Sequence, residues 1–182
     1  MALTKHKTWT YKDYCELDDD KQYEILEGEL IEMPAPGLTH QRVLKKLSQC
    51  LDRYVEKNKM GELFIAPLDV IFDPGNTLEP DIIFVSSDRL DMAQDKGLFG
   101  SPDLVVEIVS PSSQKMDTVD KFKIYQKFKV KEYWIVHPNN KSTEVFILEK
   151  DRLLSFCIAK EKDKIKSKLF SNIDITFQGM IQ

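Results

Sequence analysis

Residues 104–109 read Leu-Val-Val-Glu-Ile-Val, five aliphatic side chains interrupted by one carboxylate. A run of this length and β-branched content, led in by a loop with Gly97, Gly100 and Pro102, is a strand pattern. Glu107 constrains that strand, because burying an ionised carboxylate is expensive unless hydrogen bonds or a cation compensate it. The glutamate must face solvent, or meet a buried lysine or a metal ion. Asp81 stands in a comparable place. It opens the apolar run Ile82–Val85 after Glu79-Pro80, where the proline pushes Glu79 toward extended backbone. If the two strands are neighbours, both carboxylates can converge on one hard cation, since Mg²⁺ takes one or two carboxylates and completes its shell with water.

The chain has 182 residues, 42% of them hydrophobic, which argues for a single domain over 1–182 with a core that needs no staples. No apolar run approaches the roughly 18 residues of a membrane span, and the N-terminal residues lack the apolar stretch of a secretory signal. Cys15, Cys50 and Cys157 are an odd number without CxxC spacing. They read as thiols filling core space in a reducing compartment. The expectation is a cytoplasmic protein without a membrane partner. A formal net charge of −4 speaks against nucleic acid, yet the charge is uneven. Nine acids against Lys21 lie between Asp13 and Glu32, and six lysines against Asp117 and Asp120 lie between Lys115 and Lys131. The second segment offers a basic patch for a polyanion; a merely solvated face is the alternative.

Along the chain, Thr10 caps a short helix expected at Tyr11–Leu17, with Asp13 favouring the helix dipole. Tyr23–Leu26 and Glu29–Met33 form a hairpin around Glu27-Gly28. After the Pro34-Ala35-Pro36-Gly37 break, Thr39 is the expected cap of an amphipathic helix that places Val43, Leu44, Leu47, Cys50, Leu51, Tyr54 and Val55 at spacings of three and four and ends near Gly61. Short β runs follow at Leu63–Ile65, Leu68–Phe72, Ile82–Val85 and Leu104–Val109. Val119 to Val130 suggests a second helix, Tyr133–Val136 a buried strand, and Thr143–Leu148 with Leu153–Ile158 another hairpin. Lysines 160, 162, 164, 166 and 168 would line one face of a strand. This order gives an α/β (α+β) fold with a mixed central sheet.

The segments YEILEGEL, PAPGLTH, APLDV, EPDIIFV, PDLVVEIVSPSS, Asp117-x-x-x-Lys121-x-x-x-Tyr125 and VKEYWIVHP occur in this order. Together they resemble the Uma-type family of restriction endonucleases, a branch of the PD-(D/E)XK nuclease superfamily, from Tyr23 to Leu148, leaving 149–182 as a C-terminal hairpin extension. The resemblance implies a restriction-endonuclease-like mixed sheet flanked by helices and a Mg²⁺- or Mn²⁺-dependent hydrolase of DNA phosphodiesters. It assigns Asp81 and Glu107 as metal ligands. The superfamily lysine two residues after the second acid is absent, because that position is Val109; Lys121 takes its place in the family pattern. Glu24 matches an early glutamate that completes the acidic cluster, and His40 a histidine assisting the site. Lys129 stands where the family has Gly, and His137 where it has Asp; both are expected to alter turns and not chemistry.

Substituting Lys121 is expected to remove most cleavage and leave the fold intact, with Lys123 on another face of its helix. A homodimer is expected, because duplex DNA presents two strands related by two-fold symmetry. One rival is a catalytically inactive module of the same fold that binds nucleic acid or a protein partner. A remoter one is a glycosidase using Asp81 and Glu107 as an acid/base pair, for which no aromatic sugar platform is visible.

Overall fold

A computed structural model of the chain describes residues 7–110 and 115–181. It contains two six-stranded mixed sheets. The central sheet has the order β12-β11-β10-β9-β6-β3, built from β3 (Gly61–Ile65), β6 (Ile82–Ser86), β9 (Leu104–Ile108), β10 (Glu132–His137), β11 (Ser142–Glu149) and β12 (Arg152–Lys160). Only β9 and β10 run parallel in it, and the segment joining them carries a π-helical turn (Met116–Asp120) that runs into α3 (Lys121–Lys127). The front sheet has the order β2-β1-β5-β4-β8-β7, from β1 (Tyr23–Leu26), β2 (Glu29–Glu32), β4 (Val70–Asp73), β5 (Asn76–Leu78), β7 (Ala93–Gln94) and β8 (Gly97–Phe99).

Each face of the central sheet is covered, which is why β9 reads as a continuous apolar run. On one face Leu104, Val106 and Ile108 pack with Val43, Leu47, Leu51 and Val55 of α2 (Leu38–Asn58) and with Phe177 and Met180 of α4 (Phe177–Ile181). On the other, Val105 and Val109 join Ile124 and Tyr125 of α3 and Tyr133 of β10, while Ile83 and Val85 meet Val70 and Leu98 of the front sheet. Alternation along the strands puts Asp81 and Glu107 on this second face.

The predicted elements are present, with informative shifts. The hairpin turn is a tight one with both central residues in left-handed conformation, Glu27 at φ 51° and Gly28 at φ 80°, as the twist of a two-residue loop demands. α1 (Tyr11–Tyr14) is one turn long, and Thr10 forms a capping box with Asp13. Thr39 does not cap α2. The helix begins at Leu38 behind Gly37, which puts Thr39 inside its first turn, and it ends where Lys59 turns left-handed. Gly61 instead opens β3, where a Cβ would lie 2.0 Å from the carbonyl oxygen of Val85. Val119 is exposed, so it does not belong to the inner stripe of the second helix.

The lysine alternation from 160 to 168 does not make a strand. β12 ends at Lys160, and beyond it a single bridge, Lys164 to Thr176, is formed while Ile165 and Phe170 turn into the core. Cys15 is exposed, and Cys50 and Cys157 are half-buried against the core, so one thiol departs from the expected role. Lys129 has φ 60°, a conformation that glycine adopts without the Cβ penalty, which gives the departure from the family pattern its physical meaning. His137 lies 3.0 Å from Glu144 across the β10–β11 pair.

Candidate active site

The register of the β6–β9 pair, Ile82 to Val106, carries on to put Asp81 opposite Glu107. The two acids thus stand side by side on adjacent strands. Both are almost fully buried, and both line a cleft of about 340 Å³. The other walls are the Met33–Gly37 turn, Ala66-Pro67 and the first turns of α2, with Asp117 and Lys121 at the floor. Pro111 and Ser112, which follow the buried strand in the sequence, lie outside the described residues.

Each acid is held in place. Asp81 accepts the backbone N–H of Ile108 at 2.7 Å, and His40 Nε2 lies 3.0 Å from its carboxylate. With Nε2 as donor, His40 Nδ1 is an acceptor; it is buried and makes no hydrogen bond. Glu107 Oε1 accepts from Lys121 Nζ at 3.1 Å and from the Tyr125 hydroxyl at 2.5 Å. Lys121 also meets Glu24 at 2.7 Å and Asp117 at 3.6 Å. The structure therefore brings all five predicted site residues, Glu24, His40, Asp81, Glu107 and Lys121, to one place. Lys123 faces away, with 69% of its side chain exposed.

The helix explains the convergence around Lys121. Asp117, Lys121 and Tyr125 are four residues apart, so successive turns present them along one face toward β9. The i, i+4 spacing was visible in the sequence, but no role followed for Asp117 or Tyr125 because the position of Glu107 opposite them was not. Glu79 and Asp69 were missed altogether. Glu79 lines the cleft and donates its backbone N–H to Glu24 Oε1 at 2.9 Å.

Charge is badly balanced here. Burial pushes Glu107 well above the ordinary carboxylate range against the pull of Lys121, and the charges of Asp117, Asp81 and Glu24 add to the rise. Burial also raises Glu79 to about 7 and Asp69 to about 6, with neighbouring acids contributing to both. For Lys121 burial works against the ammonium, but Glu107, Glu24 and Asp117 outweigh it and push its pKa well up. Lys121 stays protonated. Glu24 is fully buried, and its second oxygen has no hydrogen-bond partner. A surplus of buried negative charge with an orphan carboxylate oxygen is an environment that a hard cation relieves. Among the described residues no three His, Cys, Asp or Glu side chains form a ready-made cage. The donor set fits the two-carboxylate kind that leaves much of the shell to water and substrate oxygens.

A mixed central sheet with helices on both faces, and an acidic pair side by side next to a lysine, is the arrangement of the restriction-endonuclease-like class. The chain belongs to the Uma2 family, described as "Putative restriction endonuclease", whose model matches residues 10–178. It is similar to the crystal structure of a "putative nuclease belonging to DUF820" from Anabaena variabilis ATCC 29413, at a TM-score of 0.78 and 17% identity over 94% of this chain and 97% of that one. It is also 21% identical over 140 residues to "Uncharacterized protein sll1609" of Synechocystis sp., covering 75% of this chain and 78% of that protein. No helix among the described residues is long and apolar enough to cross a membrane.

Proposed function

We propose that this chain is a Mg²⁺- or Mn²⁺-dependent endonuclease that hydrolyses DNA phosphodiesters, with Asp81 and Glu107 holding the metal. The observation that carries this reading is the pairing of the two acids across β6 and β9 in a cleft beside a protonated lysine. Asp81 and Glu107 would hold the divalent ion, and the chemistry it would supply there is polarisation of the scissile phosphate and a bound water of lowered pKa. The protein's own groups supply the rest. Lys121, unable to act as a base while its pKa is raised, keeps a positive charge at the cleft floor and offsets charge developing on phosphate oxygens. Tyr125 and Lys121 fix the rotamer of Glu107, and His40 and the Ile108 N–H fix that of Asp81. His40 Nδ1 is buried without a hydrogen-bond partner, and the His40 ring lines the cleft.

Calorimetric titration with Mn²⁺ and Mg²⁺ tests the reading, run on the wild type and Asp81→Asn and joined to cleavage of plasmid DNA. Binding and cleavage by the wild type, both lost in Asp81→Asn, are expected; metal-independent cleavage would overturn it. On duplex DNA the active species is a two-fold homodimer in this reading, and light scattering that finds only monomer with and without DNA would remove that part. The second reading, an inactive module, is favoured by one observation. Glu107 already spends Oε1 on Lys121 and Tyr125, as a purely structural ion cluster would. It predicts nucleic-acid binding without metal binding.

A further inference from the structure

The lysines of segment 115–131 are largely compensated. Lys121 is buried in the site, Lys123 lies 3.8 Å from Asp120, Lys127 3.8 Å from Asp73, Lys129 3.0 Å from Asp151 and Lys131 2.6 Å from Asp103. Free positive charge is found instead on α2. Arg42, Lys45, Lys46 and Arg53 are exposed, and among the described residues none has a carboxylate within 4.0 Å. At 3.6 residues per turn they fall within an arc of about 100°, opposite the buried Val43, Leu47 and Leu51. The acids of that face, Asp52 and Glu56, come only at its far end.

The stripe adjoins the cleft through Lys45, one turn beyond the cleft-lining Gln41 and about 40° around α2 from it, whereas His40 and Leu44 enter the cleft from the opposite side of the helix. From Arg42 to Arg53 is eleven residues (53 − 42), or about 16 Å at 1.5 Å each. That length matches about five phosphates of one strand at 3.4 Å along a duplex axis. The other rim of the cleft carries Gln22 and Met33, which belong to or adjoin the acid-rich segment 13–32. A polyanion is thus attracted along α2.

We propose that the outer face of α2 is the phosphate-tracking surface of this protein, on which Arg42, Lys45, Lys46 and Arg53 guide a nucleic-acid backbone into the cleft. The proposal rests on the nuclease reading of that cleft, but it is testable without cleavage. The affinity of labelled 20-mer duplex and single-stranded DNA is measured by fluorescence anisotropy in EDTA between 50 and 200 mM salt. The full-length wild type is compared with Arg42→Gln/Lys45→Gln/Lys46→Gln/Arg53→Gln, with Lys45→Gln/Lys46→Gln, and with Lys123→Gln/Lys127→Gln/Lys129→Gln as control.

Four lost phosphate contacts reduce the slope of log K against log salt by about 3.6 for a duplex or about 2.8 for a single strand, and the double variant by half of that. The form that the wild type binds more tightly at equal salt is the preferred one, and the control triple variant keeps the wild-type slope. A quadruple variant that melts like the wild type and binds with unchanged slope overturns the proposal, and if the wild type still cuts DNA with Mg²⁺ the nuclease reading survives it. A wild type that binds through α2 but never cuts upholds the proposal and sinks the nuclease reading. Binding of anionic vesicles or an acidic peptide through α2, with no binding of DNA, overturns it.

Discussion

Lys121 is the residue on which most depends, and its surroundings revise what its substitution should do. From the sequence, Lys121→Ala was expected to spare the fold. In the structure its ammonium stands among Glu24, Glu107 and Asp117, all buried. Removing one member of a buried ion cluster strands the remaining charges, at about 3–5 kcal/mol. Urea unfolding of Lys121→Ala at neutral pH should show a loss of that size, and Lys123→Ala almost none. Cleavage per folded molecule should fall by about 10²- to 10³-fold, by analogy with a lost oxyanion donor. Asp69 makes the opposite point. Its carboxyl is raised from 3.8 to about 6, first by burial and then by Glu24. The folded chain therefore holds this proton up to about pH 6 while the unfolded chain releases it near 3.9. Stability is lost as pH rises through that interval and is unaffected below it. Asp69→Asn should be more stable than the wild type at pH 8, with the difference vanishing by about pH 3.5, in melts recorded across that range.

At the scale of elements, Asp103 acts as a clasp just before β9. It accepts the backbone N–H and the hydroxyl of Ser86 at 2.8 and 2.9 Å and pairs with Arg89 and Lys131. Burial alone would raise its pKa, but Lys131, Ser86 and Arg89 outweigh it and hold the carboxyl below its usual value. The stabilisation is present above the unfolded pKa and lost as pH falls through the folded one. Asp103→Ala leaves a Ser86 amide unpaired at the end of β6, and denaturant titration should register about 1.5–3 kcal/mol, shrinking at low pH.

Which elements could be read in advance follows from the same physics. α2 and the Glu27-Gly28 hairpin declare themselves by period and turn chemistry, and β9 by its apolar run. β5, β7 and β8 have three, two and three residues, too few for any period, so of the front sheet only the hairpin and the β4 run were visible. The acid pair was legible because an acid inside an apolar run is a local anomaly. The partners that hold it, Asp117 and Tyr125, depend on how a helix lies on a strand, and that is not local. The compensation of the basic run was hidden for a related reason. The lysines of 115–131 crowd together in sequence, and only the fold brings Asp73, Asp103 and Asp151 to them.

For the molecule as a whole, the site is also a joint. Glu24 belongs to the front sheet, Glu107 to the central sheet and Lys121 to the helix between β9 and β10. Metal binding at the acids should then register as global stability. A ligand at ten times its Kd adds about 1.4 kcal/mol, so Mn²⁺ should raise the melting temperature of the wild type and leave that of Asp81→Asn unmoved. The joint also bears on how such a chain could age. A lineage that ceased to cut nucleic acid would be released from selection on His40, at the cleft wall, well before it could discard Lys121, because every descendant lacking the lysine would first have to survive burying Glu24, Glu107 and Asp117 without the cation they share. The lysine is thus a poor witness to present activity, and the histidine a better one.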